Sequence, residues 1–323
     1  MRWITILSLL FCSPAFGATL DEAHEMIDDG RYDEARAILE RGVENSAQKP
    51  RALTMLTLLS NQTGDYKNGV EYGKQAVKLS PGSADAHLQY AVALRIKMTQ
   101  GSKVKAVFSL GTYKKELKQA RELAPDDPGP RQEELGFLVN APGMMGGDLD
   151  RAWQLAVELE KISWREGLSW QAEVQFKRKD DEAGMATLRK VLEKDPASSG
   201  ARFQLAYRYQ ALERFAEADA QFEILQADET ERISMNALYQ RARTRILGRY
   251  EQERAVEFLQ AYLGKLPPKA EGMVGKESAY WRMGNAYEQL GRTVEARGAY
   301  ERSLQIKETK EARESLKSLG KKR

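Results

Sequence analysis

One cysteine and two histidines in 323 residues leave little material for metal or nucleophilic chemistry. The single thiol, Cys12, sits inside the apolar opening stretch, so a chain trimmed of that stretch has no disulfide, no thiolate nucleophile and no thiolate metal site. His24 faces only Asp28, one helical turn on, and His87 occupies a slot suited to a packing residue. Neither brings a third ligand or a nucleophile with it, so no catalytic, cofactor-binding or metal-binding residue is assigned and no cofactor is expected. No apolar run reaches the roughly 20 residues needed to span a bilayer, so the mature chain is expected to lack a transmembrane segment. An excess of one charge is missing too. Fifty Lys and Arg stand against 47 Asp and Glu, a formal net charge of +3, and the two signs are interleaved along the chain. That balance describes a solvated helical surface and gives no support for a nucleic-acid partner.

What is present begins with a leader-like segment. Met1-Arg2 is a short positive start, Trp3 to Phe11 is almost wholly apolar, Ser13-Pro14 breaks the run, and Ala15-Phe16-Gly17 puts small residues where a signal peptidase reads. This layout predicts a signal peptide over residues 1–17, cleaved before Ala18, and with it a periplasmic address, with secretion as the alternative. A lipoprotein reading of Cys12 fails because the residue before it, Phe11, is large. Trimming removes Arg2 and lowers the formal charge from +3 to +2.

The remainder is punctuated at regular intervals. Gly30-Arg31-Tyr32-Asp33-Glu34-Ala35, Gly64-Asp65-Tyr66, Gly248-Arg249-Tyr250 and Gly291-Arg292 each separate two amphipathic stretches, and Pro81, Pro125, Pro196 and Pro267 each close one. Pro125 to Pro196 and Pro196 to Pro267 are both 71 residues, twice a unit of roughly 34–36. Within Ser278 to Ile306, the residues Tyr280, Met283-Gly284, Tyr287, Gly291, Ala296, Tyr300 and Leu304 alternate large and small at helical spacing. Ala201 to Gln226 does the same through Leu205-Ala206, Tyr209, Phe215, Ala218 and Phe222. In this pattern the chain resembles the tetratricopeptide repeat family.

The resemblance implies an all-α, right-handed superhelical solenoid of about eight helix hairpins over 18–308. Residues 309–323 follow as a capping helix and basic tail. Small residues such as Ala206, Gly284, Ala218 and Ala296 would let paired helices approach closely, with large ones filling the space between pairs. A helix pair cannot bury its apolar face alone, so the pairs must stack. The third unit carries extra residues around Gln100 to Tyr113, and the fourth a long turn, Asn140 to Asp148.

The family's first helices line a concave groove, and this register aims Phe137, Phe176, Phe203, Tyr207, Trp281 and Asn285 toward it. These are the expected partner-binding residues, and the partner expected is a protein or peptide segment. The lysine and asparagine sets of the subfamily that clamps chaperone C-terminal carboxylates are missing, so that role is not expected. The turn at Pro142 to Gly147 offers an alternative. Its glycines precede a helix and would present N–H groups to an anion, and it resembles turns in exported accessory proteins of substrate transporters. No Lys-Ser or Lys-Thr follows, so it is not a nucleotide loop. The leading expectation is a non-catalytic scaffold or assembly factor of the cell envelope; the alternative is a periplasmic transport accessory that binds a small ligand. Ala296→Leu is predicted to overpack the last pair at a cost of about 1–3 kcal/mol; unchanged thermal unfolding would refute the register.

Overall fold

In the computed structural model the residues described are 19–100, 103–267 and 273–321. The leader 1–17 with Cys12, residues 101–102 of the third unit's insertion, and Lys322-Arg323 of the tail lie outside them. The described residues form seventeen α-helices and one 3-10 turn, with no strand among them, and no helix is long and apolar enough to cross a membrane.

The chain divides into two compact units at Phe137/Leu138. The first holds α1 (Leu20–Asp28), α2 (Tyr32–Glu44), α3 (Lys49–Thr63), α4 (Tyr66–Leu79), α5 (Ala84–Gln100) and α6 (Lys103–Leu123), and enters α7 (Pro128–Asn140). Leu20, Ala23 and Ile27 of α1 pack on Leu39 of α2 and on Leu56 and Leu59 of α3. The described extra residues of the third unit lie in α5, 17 residues long, and α6, 21 residues long. His87 is buried in α5: its Nε2 donates to the Pro81 carbonyl at 3.0 Å, and its Nδ1 lies 2.5 Å from the Glu116 carboxylate of α6. It is a satisfied polar residue inside a hairpin. His24 and Asp28 stand 3.9 Å apart on the exposed side of α1.

The second unit begins with the 3-10 turn Gly143–Met145 and continues with α8 (Leu149–Ile162), α9 (Trp164–Lys177), α10 (Asp181–Lys194), α11 (Ser199–Ala211) and α12 (Phe215–Gln226). It is completed by α13 (Glu231–Gly248), α14 (Gln252–Lys265), α15 (Lys276–Gln289), α16 (Thr293–Ile306) and α17 (Lys310–Lys321). In chain order the described residues give sixteen helices and a closing helix, the number that eight helix pairs and a cap require. Leu319 of α17 is buried on Ala296 and Tyr300, with Trp281 alongside, and Ala312 of the same helix is buried too.

Local chemistry sets the helix ends. α4, α6, α10 and α14 each stop two residues before the proline that follows, because a residue ahead of proline is steered out of the helical region. Gly30, Gly64 and Gly291 adopt the left-handed conformation between paired helices, at φ of 72–75°. At Gly248-Arg249-Tyr250 the expected role shifts by one residue: Arg249 is left-handed and Gly248 stays in α13, pressed against the Tyr250 and Phe215 rings. Lys179 and Glu213 hold the same left-handed slot without being glycine.

Two arginines lie in the core of the second unit. Arg241 and Arg245 of α13 are 8% and 5% exposed. Both donate to the Asp219 carboxylate of α12, Arg241 Nε at 3.1 Å. Arg241 also reaches Glu223 at 2.7 Å, Arg245 reaches Glu251 at 3.1 Å, and both guanidiniums lie 4.9 Å from the centre of the Phe258 ring. Removing one partner of such a network leaves buried charge uncompensated. Asp219→Ala is therefore expected to lower unfolding free energy by about 3–5 kcal/mol, whereas breaking the exposed Arg31–Glu34 pair should leave the denaturation midpoint unchanged. Equal midpoints for the two variants would contradict the network's role.

Candidate functional site

Side chains that one helix places on a common face recur at three- and four-residue steps. On α13 that rule puts Met235, Leu238, Tyr239, Ala242 and Ile246 into the core. It leaves Arg232, Asn236, Gln240, Arg243 and Leu247 in a row along another face. α11 carries the matching row Phe203, Tyr207, Gln210, and α15 carries Arg282, Asn285, Gln289. Hydrogen bonds fix the rows side by side. Gln210 donates to Thr244 at 2.6 Å and accepts from Arg243 at 2.6 Å, while Gln289 donates to the Ile246 carbonyl at 3.0 Å.

Two cavities open along these rows. One, of about 340 Å³, is lined by Tyr207, Arg232, Asn236, Gln240 and Tyr262, with Met273 and Val274. The other, of about 500 Å³, is lined by Ile246, Leu247, Arg249, Arg282, Asn285, Glu288 and Gln289. Arg243 falls between the two along α13.

The electrostatics of this face differ from those of the core. Among the described residues Arg243 donates to amide oxygens, of Gln210 and of Gln240 at 3.3 Å. Burial, and then the like charge of Arg282, pulls its pKa below the usual arginine value. Arg282 lies 4.3 Å from the Trp281 ring centre, and its buried Nε has no hydrogen-bond partner among the described residues. Burial raises the Tyr207 hydroxyl pKa, against the opposing effects of Asn236 and Arg243. Burial also pushes Tyr262 up to about 12, with its hydroxyl donating to the Val274 carbonyl at 2.6 Å. Glu288 accepts from the Tyr300 hydroxyl at 2.9 Å, as does Asn285 at 2.8 Å.

The six residues expected at the binding surface separate into distinct settings. Phe203 and Tyr207 stack at 5.9 Å, Tyr207 is 37% exposed, and Asn285 lines the larger cavity, so these three share the first-helix face. Phe137, in the first unit, is buried on Tyr113 with ring centres 5.0 Å apart. Phe176 turns into its own hairpin, where its ring covers Gly184 and takes the Arg208 guanidinium at 4.8 Å. Trp281 faces α17, donating from Nε1 to Ser315 at 3.1 Å. One helical position separates Trp281 from the row that contains Arg282. Sequence reasoning missed the whole α13 row; the four-residue spacing Arg232, Asn236, Gln240 was the available signal, hidden by the polar residues on every side of that helix.

The glycine-rich turn is closed on itself. The N–H groups of Met145 and Gly147 donate to the Pro142 carbonyl, Gly146 to Gly143, and Asp148 to Leu138. Asp148 caps α8 as expected, its carboxylate accepting from Asp150 and Arg151 at 3.0 Å each. Those amides are spent within the turn rather than offered to an anion, and Met144 is 95% exposed. Among the described residues no three His, Cys, Asp or Glu side chains gather as a metal site.

Helix pairs of this geometry define a class of repeat protein that presents a side-chain-lined surface. Family models for the tetratricopeptide repeat match residues 20–95, 166–198 and 277–310. Over those three stretches the chain is similar to the tetratricopeptide repeat. No curated protein matches it in sequence. Among solved structures it is similar to a thermophilic tetratricopeptide repeat protein of Thermus thermophilus. That likeness has 21% identity and TM-score 0.51, covering 58% of this chain and 96% of that one. It is also similar to the human IFIT1 dimer with m7Gppp-AAAA, at 13% identity and TM-score 0.54, covering 89% of this chain and 71% of that one. Identities this low establish a shared helical-repeat fold.

Proposed function

We propose that this chain is a non-catalytic scaffold that holds a protein segment along the first-helix face of α11, α13 and α15. The observation that carries the reading is the pair of cavities opened along three aligned rows of aromatic, amide and guanidinium side chains. A repeat array offers such a surface without an enclosed pocket, and aromatic and arginine side chains are the usual anchors of protein interfaces. The transport-accessory reading loses its motive, since the amides that suggested an anion site are engaged within the turn.

A display library of random twelve-residue peptides, selected on the purified chain, tests the scaffold. Binders are expected whose affinity drops at least about tenfold in Tyr207→Ala or Asn236→Ala, a loss typical of interface anchors. Binding indifferent to both substitutions would move the site elsewhere. The envelope address belongs to the same proposal and rests on the layout of residues 1–17. N-terminal sequencing of the chain from fractionated cells should begin at Ala18 in the periplasmic fraction; a chain starting at Met1 in the cytosol would remove that part.

A further inference from the structure

α13 and the residue that caps it carry five arginines, Arg232, Arg241, Arg243, Arg245 and Arg249, and the fold treats Arg241, Arg243 and Arg245 in two ways. Arg241 and Arg245 turn into the core, where Asp219, Glu223 and Glu251 compensate them. Arg243 turns to the first-helix face, as does Arg282 of α15, and the partners there are of another kind. Arg243 meets two neutral amide oxygens. Arg282 meets the face of Trp281, and its Nε is out of contact with solvent and with any acceptor among the described residues. The larger cavity adds Arg249 and a single carboxylate, Glu288, which is engaged by the Tyr300 hydroxyl.

Two half-buried guanidiniums that feel each other's like charge, and whose partners here are neutral amides and an indole ring, carry a cost that an arriving anion would relieve. A buried donor without an acceptor loses its hydration for nothing. A guanidinium gains most from a planar carboxylate that takes two of its N–H groups at once. The setting also bears on where the carboxylate comes from. Arg243 lies on α13 between the residues of the smaller cavity, Asn236 and Gln240, and those of the larger one, Ile246 and Leu247. A ligand centred there has room on both sides, which suits a side chain within a continuous segment more than a chain end.

We propose that Arg243 and Arg282 form the anchoring subsite of this face and take the side-chain carboxylate of an aspartate or glutamate within the bound protein segment. The inference rests on the scaffold reading and names the chemistry of its partner. The smaller cavity, with Tyr207 and Tyr262 at its wall, then takes an uncharged or aromatic neighbour of that acidic residue.

The test uses the full chain and the peptides selected by display. The selected sequences should share one Asp or Glu at a fixed position. Replacing it by Asn or Gln in the peptide should weaken binding at least about tenfold, a loss on the scale of an interface anchor and a measurement that needs no protein variant. R243Q and R282Q should each weaken the acidic peptide by a similar factor, leave its amide counterpart unchanged, and flatten the fall of affinity with salt. Thermal unfolding of both variants checks that the fold persists. Peptides that bind through Tyr207 but show no preference for an acid, and are indifferent to R243Q and R282Q, would overturn the subsite and leave the scaffold standing. Peptides that lose affinity when the C-terminal carboxylate is removed, but not when the internal acid is replaced by its amide, would assign the anchor to a chain end and overturn the internal segment. No selected peptide at all would overturn both readings.

Discussion

Everything in this molecule depends on rings lying where a Cβ is missing. Phe176 covers Gly184, Tyr300 covers Gly284, and Tyr90 covers Gly73 within 2.8 Å of where a Cβ would stand. Each contact brings one helix of a repeat so close to its neighbour that no methyl group fits between them, and each buries a large ring in exchange. Helices locked this way need neither disulfide nor metal, and a chain so poor in cysteine and histidine has little of either to offer. Their stability comes from dispersion and apolar burial spread over many small interfaces.

That packing also decides what is left for function. A helix pressed on its neighbours through one face has its other face free, and the second unit shows how differently two faces of one helix can be treated. On α13, Arg241 and Arg245 are buried with carboxylates supplied by α12 and by the residue just ahead of α14. Arg243, two positions from each, meets amides alone. Ion pairs that close on themselves stabilise a core and invite nothing in; a guanidinium without its acid is open to a partner. The contrast between these arginines separates the structural network from the proposed recognition surface more sharply than exposure does.

The closing helix matters to that surface as well as to the core. Ser315 of α17 accepts from the Trp281 indole, and the Arg282 guanidinium rests near the same ring. A helix expected only to shield the last repeat therefore sits behind the residue next to the binding face. The turn at 142–147 went the opposite way. Its glycines serve the turn itself: Gly146 is left-handed at φ 98°, and a Cβ on Gly147 would overlap the Ala141 carbonyl.

The sequence by itself determined the helices, their ends and their pairing, because those follow from local rules: proline two residues past a helix end, a left-handed residue between helices, large and small residues at three- and four-residue steps. Even there Gly248 was misread by one position, since the ring of Tyr250 and not backbone freedom requires glycine at that point. Three of the six expected binding residues, Phe203, Tyr207 and Asn285, share the first-helix face for the same local reason. What only the tertiary structure decided was which polar side chains are compensated. Arg241, Arg243 and Arg245 look alike along the chain; Asp219, on the helix before, answers two of them and leaves the third, and no periodicity encodes a choice made between helices.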